Sequence, residues 1–267
     1  YRIRPGKALT GEVAGVARRQ YLRAIDELRD QPDGPHEAIH AARKRFKRLR
    51  GLFRLVRDAA PDFYASENAR IRDVAATLST VRDATALVEA LDHLLARGAT
   101  AANHDTLFAI RDRLAERRDR IASHETDLDA RIDDAVAVCE EGLAALEGLR
   151  LPEKPKKAVT LLAGGVAKTY GRAVDALATA AETDGAADWH ELRKQIKYHW
   201  MHVKLLGDIW PGEMGLRART ADLAGEALGD DNDLANLDHL IATDPDAIGS
   251  EADIAILRTV MAERSAA

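Results

Sequence analysis

The residues most able to do chemistry lie between His40 and Arg57, in the stretch HAARKRFKRLRGLFRLVR. It carries eight Lys or Arg, and no Asp or Glu occurs from Ala38 to Arg57. At about 100° per residue, His40, Arg43, Lys44, Lys47, Arg50 and Arg54 fall on one side of a helix. Phe46, Leu49, Phe53 and Val56 fall on the other. One side is a core face and the other a row of cations. Lys and Arg on successive turns offer point charges and forked donors to anionic oxygens. The chain as a whole is acidic: its net charge is −5, the windows 38–57 and 192–207 carry +8 and +4, and everything else stands at −17. Charge segregated in this way focuses a ligand of opposite sign whatever the total.

A second, weaker copy of the row follows. A shift of 150 residues sets His40-x-x-Arg43-Lys44-x-x-Lys47 on His190-x-x-Arg193-Lys194-x-x-Lys197, and Arg54 on Lys204. The same shift sets Leu78 on Leu228, Asp83 on Asp233, Leu87 on Leu237 and Ala17-Arg18 on Ala167-Lys168. One offset held over four separate helices indicates two related halves, 1–150 and 151–267, and predicts two helical bundles related by pseudo-twofold symmetry. Such symmetry lets the two basic helices either face each other or point outwards.

The repeat also weighs the competing motifs. His36-Glu37-Ala38-Ile39-His40 matches the zinc-protease string H-E-x-x-H. Its counterparts of His36 and Glu37 are Ala186 and Ala187, whereas that of His40 is His190, so the repeat keeps the phosphate-type pattern and drops the metal-type one. The string also opens directly into a run of cations, which opposes a divalent metal. Gly229-Asp-Asp-Asn-Asp233 lacks the alternation and downstream Glu of a calcium loop, and a helix cap or salt bridge suits Asp83 and Asp233 better. Cys139 has no nucleophile constellation around it in sequence, so no catalytic residue, metal or cofactor is expected. His199 and His202 lie on the side of their helix away from His190 and read as packing or surface residues.

The elements that must position these groups are helical. Aromatic residues make up only 4% of the chain, and Ala, Leu, Arg and Glu favour helix, so the fold class is all-α. Helix 1 runs from Leu9 to Arg29 and ends in Gln31-Pro32-Asp33-Gly34-Pro35. The basic helix starts at Pro35 and stops near Asp58, before Pro61. Asp62 can cap the next helix, which carries Asn68, Arg70 and Arg72, and another spans about Asp83 to Leu95. Gly98 to Asn103 interrupts the pattern, and His104 to Leu149 is one long helix or two consecutive ones. Leu151-Pro-Glu-Lys-Pro-Lys-Lys157 reads as the linker between halves. No apolar run approaches the roughly 20 residues that span a bilayer, and a single cysteine excludes an intrachain disulfide framework, so a soluble cytoplasmic protein with no membrane contact is expected. The chain begins at Tyr1 rather than Met, as a segment of a longer protein would.

The duplicated His-x-x-Arg-Lys-x-x-Lys helix resembles the CHAD family, the conserved histidine α-helical domain. The opening Tyr1-Arg-Ile-Arg-Pro-Gly-Lys-Ala-Leu and the segment Leu78-Ser-Thr-Val-Arg-Asp83 are also similar to that family's pattern. The resemblance implies two four-helix bundles flanking a basic central cavity, binding of inorganic polyphosphate without catalysis, and association with polyphosphate granules. Carried over by position, it implies a site of His40, Arg43, Lys44, Lys47, Arg50 and Arg54 from the first half, and His190, Arg193, Lys194, Lys197 and Lys204 from the second. Arg18 and Lys168, on the first helix of each half, are expected helpers. Tyr198 and Trp200 stand where the family continues with arginines, so a lopsided site is expected. Two competing partners remain at this stage. Nucleic-acid backbones suit the same row, although base-stacking aromatics are scarce, and an acidic protein could dock on it. Oligomeric state is left open.

Overall fold

The computed structural model describes residues 1–78, 80–124 and 127–265, with backbone alone for 80–82. Among these residues the secondary structure is helical throughout, with no strand. In chain order the helices are α1 (Leu9–Asp30), α2 (Pro35–Val56), α3 (Pro61–Thr77), α4 (Thr80–Gly98), α5 (His104–His124), α6 (Leu128–Ala145), α7 (Pro155–Thr183), α8 (Ala186–Leu205), α9 (Pro211–Thr243) and α10 (Glu251–Ser265).

The chain forms two compact units, and each draws on both sequence halves. One comprises Tyr1–Leu78 with Leu128–Glu226, the other Ser79–Asp127 with Ala227–Ala267. In the first unit α1 packs on α2 and α6, α3 on α2 and α6, and α7 on α8, with α2 also touching α7 and α8. The expected core face of α2 is fully buried: Phe46, Leu49, Phe53 and Val56 join Val13, Tyr21, Leu28 and Ile71 in one cluster. Glycines set the closest approaches. A Cβ on Gly142 of α6 would meet the Tyr21 ring at 2.5 Å, and one on Gly165 of α7 would fall on the Leu55 carbonyl of α2. The N-terminal residues lie across the end of α8, where the Ile3 amide donates to the Leu205 carbonyl at 2.8 Å and Arg2 pairs with Asp208. In the second unit Leu91, Leu107, Ile110, Leu237, Leu257 and Val260 form a separate core, and Arg97 and Arg264 both pair with Asp230.

Several local expectations change. His104 to Leu149 is two helices, α5 and α6, followed by a 3₁₀ turn at Leu146–Gly148. Helix α3 starts at Pro61, and its N-cap, Ala60, makes no side-chain cap; Asp62 therefore sits in the first turn, where its charge meets the helix dipole instead of capping it. The two halves also differ: α3 ends before α4 begins, whereas α9 runs unbroken through the corresponding stretch. Of the segment Leu78 to Asp83, Leu78 is buried and Asp83 exposed, and the side chains of residues 79–82 lie outside those described. Among the described residues no helix is long and apolar enough to cross a membrane.

Candidate functional site

The geometry of the basic helices begins at α2. Gly34, at φ 90°, turns the chain into Pro35, whose fixed φ suits the first helical position, and the helix then runs without a break to Val56. Its seven cations, and Arg57 at its C-cap, have different surroundings. Arg45 turns towards α1 and forms a half-buried pair with Glu27, whose Oε1 is 2.6 Å from Nη2. Arg48 sits against the ring of Tyr1, 5.9 Å from its centroid, and burial lowers its pKa. Arg57 lies 3.7 Å from Asp58. The remaining five, Arg43, Lys44, Lys47, Arg50 and Arg54, with His40, form the row. Lys44 and Lys47 are exposed, and His40, Arg43, Arg50 and Arg54 are half-buried. Several are held by neutral groups: Arg43 donates to the Ala75 carbonyl of α3, and Arg50 Nε donates to Asn68 Oδ1 at 3.0 Å.

The two basic helices meet inside the first unit. His202 of α8 is fully buried, and its Nε2 donates to the Gly51 carbonyl of α2 at 2.9 Å. Burial pushes the His202 pKa down to about 4, the bond to Gly51 offsetting this in part, so the imidazole is neutral and carries its proton on Nε2. Met201 lies over Gly51 so closely that a Cβ there would come within 2.9 Å of Sδ. Gly51 and Met201 are equivalent positions under the 150-residue shift. Just beyond this junction the Arg54 guanidinium lies over the Tyr198 ring at 4.2 Å, with Nε buried and without a hydrogen-bond partner. Tyr198, where another arginine was expected, thus serves as a platform for the arginine of the other helix. Trp200 does the same for lysines, with Lys204 at 4.9 Å and Lys197 at 5.7 Å from its ring centroid.

Two lysines of the second row face carboxylates. Lys194 pairs with Glu191 one turn away, and Lys197 lies 3.7 Å from Asp222 of α9. Lys168 of α7 bonds Asp58 Oδ2 at 2.6 Å, bringing α7 to the end of α2. His190 and Lys204 are exposed, and Arg193 is half-buried with its Nε unpartnered. Arg18 is exposed on α1. His36 is half-buried and Glu37 exposed at the start of α2, and among the described residues no three His, Cys, Asp or Glu side chains gather as a metal site would need. Cys139 is buried among apolar neighbours, and burial raises its thiol pKa to about 12, which suppresses the reactive thiolate.

Sequence reasoning missed the roles of Gly51, Asn68, Tyr198 and Trp200, while His202, read as a packing or surface residue, is buried packing. A glycine inside a strongly helical stretch was the one visible signal, because it costs helix stability unless another backbone or side chain comes close.

The CHAD domain family matches residues 13–242, most of the chain. The chain belongs to the CHAD family. Among solved structures, PptA from Streptomyces chartreusis is similar to this CHAD domain in fold, with a TM-score of 0.64 and 23% sequence identity over 97% of this chain and 95% of that one. No curated protein matches the chain. A polyphosphate-related role fits a CHAD domain.

Proposed function

We propose that this CHAD domain binds inorganic polyphosphate, without chemistry on it, along the row His40, Arg43, Lys44, Lys47, Arg50 and Arg54. The observation that carries the reading is the junction itself. The cationic row of α2 ends against α8, where the Arg54 guanidinium lies over the Tyr198 ring, so the two basic helices are in contact at one end of the row. Polyphosphate has charge at every unit and no bases, and the site offers cations held by amide, carbonyl and aromatic groups. The second row contributes less, because Lys194 and Lys197 already face carboxylates. A cytoplasmic location at polyphosphate granules follows from this reading and is checked by co-localisation of a tagged chain with stained granules.

Four aromatic residues on or beside the two basic rows disfavour nucleic acid as the partner there. Phe46 and Phe53 are buried in the core, and Tyr198 and Trp200 have cations on their faces, so these rings do not serve as base-stacking platforms. The test is a competition titration of one labelled polyphosphate probe with unlabelled long-chain polyphosphate, single-stranded RNA and duplex DNA at fixed salt. Polyphosphate should displace the probe at the lowest phosphate concentration. Equal or stronger displacement by RNA would overturn the reading.

A further inference from the structure

Beside the α2 row lies a second group of cations, where α1 packs on α2. Arg19 and Arg23 are one turn apart on α1 and both exposed, and Arg48 is half-buried on α2, one turn beyond Lys44 of the row. Tyr1 lies against Arg48: its hydroxyl donates to the Arg48 carbonyl at 2.7 Å, and the guanidinium stands 5.9 Å from the ring centroid. Arg19 folds back along α1 over Gly15, its Nη1 3.6 Å from where a Cβ there would stand. Burial, and after it the charges of Arg19, Arg48, Arg23 and Arg2, lower the pKa of the Tyr1 amino group. Burial also lowers the Arg48 pKa, and Arg45 and Arg23 lower it further against the opposite pull of Tyr1 and Glu27. Like charges are thus gathered around one point.

The carboxylates within reach are already taken. Both oxygens of Glu12 are bound by Arg4, through its main-chain amide, Nε and Nη2. Both oxygens of Glu27 are bound by Arg45, and Arg2 is paired with Asp208. Among the described residues Arg19, Arg23 and Arg48 make no ion pair and donate no hydrogen bond, and Asp26 and Asp30, further along α1, pair with none of them. A face that served only solubility would mix its charges.

The arrangement recurs in the second half. Tyr21-Leu-Arg-Ala-Ile-Asp-Glu-Leu28 returns as Tyr170-Gly-Arg-Ala-Val-Asp-Ala-Leu177 at a shift of 149, which sets Arg19 on Lys168 and Arg23 on Arg172. Burial supports that register, since Leu162, Gly165 and Thr169 of α7 fall on Val13, Val16 and Gln20, all buried in α1. Lys168 reaches Asp58 just past the end of α2, and Arg172 is exposed one turn on. Arg18, which the 150-residue shift matches to Lys168, lies about 100° round α1 from Arg19. It is not among the principal charges acting on Tyr1, Arg48 or Glu12.

We propose that Arg19, Arg23 and Arg48 form a second anion lane beside the α2 row, joined to it at Lys44, that takes phosphates of the same polyphosphate chain. The inference rests on the polyphosphate reading and adds α1 to its site through Arg19 and Arg23, with Arg18 outside it. The lane supplies forked donors that no described carboxylate occupies.

The experiment maps phenylglyoxal modification of arginine side chains by peptide mass spectrometry, on the full chain with and without long-chain polyphosphate, alongside a binding titration. Protection is expected at Arg19, Arg23 and Arg48, with Arg18 modified equally in both samples. Arg19→Gln combined with Arg23→Gln, both at exposed positions, should lower the slope of log affinity against log salt by about 1.4, at about 0.7 for each lost contact. Saturable polyphosphate binding without protection of the three arginines, with Arg18 protected as strongly as Arg19, or with an unchanged slope in the double variant would overturn the lane and leave the polyphosphate reading standing. No saturable binding by the wild type would overturn both.

Discussion

Removing a carboxylate from the second row should strengthen polyphosphate binding. Glu191 accepts hydrogen bonds from Lys194 and Gln195, and although burial acts to raise its pKa, these bonds hold it below the usual carboxylate range, so it is charged at neutral pH. Both members of the Lys194–Glu191 pair are about half exposed, which places its own stability contribution at about 0.2–1 kcal/mol. A phosphate that reaches Lys194 must also approach this carboxylate. Two like charges about 6 Å apart in water repel by roughly 0.7 kcal/mol, or about threefold in affinity. Glu191→Gln keeps the shape and the acceptor for Gln195 while removing the charge. Fluorescence anisotropy with labelled polyphosphate from 50 to 200 mM salt should show about threefold tighter binding. The slope of log affinity against log salt should steepen by about 0.7, the value for one further contact on a flexible polyanion. An unchanged affinity and slope would mean that Lys194 lies outside the path of the ligand, and the second row would have to be withdrawn from the site.

Three further outcomes test the packing around α2. Tyr198→Leu removes the ring under Arg54, a contact of about 1 kcal/mol, and should weaken polyphosphate binding about fivefold, whereas Tyr198→Phe retains it; equal effects would refute the platform role. Gly165→Ala drives a Cβ into the Leu55 carbonyl, so the thermal midpoint should fall by the equivalent of about 1–3 kcal/mol, and an unchanged midpoint would show that α7 and α2 are not in such close contact. For His202 the folded pKa, about 4, lies below the ordinary 6.5, so the unfolded chain binds more protons between these values. Stability from this group is complete above pH 6.5 and is lost as pH falls towards 4, by on the order of 3 kcal/mol. Urea midpoints of the wild type should therefore decline more steeply over that range than those of His202→Gln, and parallel curves would refute the assignment.

Much of the architecture was legible because it depends on short-range periodicity. The amphipathic spacing of Phe46, Leu49, Phe53 and Val56 marks the buried side of α2, and Pro35 opens that helix where proline's missing donor is harmless, whereas Pro155, read as part of a linker over residues 151–157, opens α7. Where local pattern is silent, the expectation stayed open or was wrong by a residue or two. The division of His104 to Leu149 into α5 and α6 is one such case, and the start of α3 at Pro61 is another.

The sequence by itself determined that the chain is helical and that one helix carries an unbroken row of cations, both properties of neighbours within a few turns. Which cations keep their charge free of a carboxylate was decided only by tertiary structure, because a partner such as Glu27, Asn68, Asp222 or Tyr198 lies on another helix. The same holds for Gly51. In sequence it is a weak point in a helix, and in the fold it is the place where α8 comes close enough for His202 to bond the α2 backbone and for Arg54 to reach Tyr198.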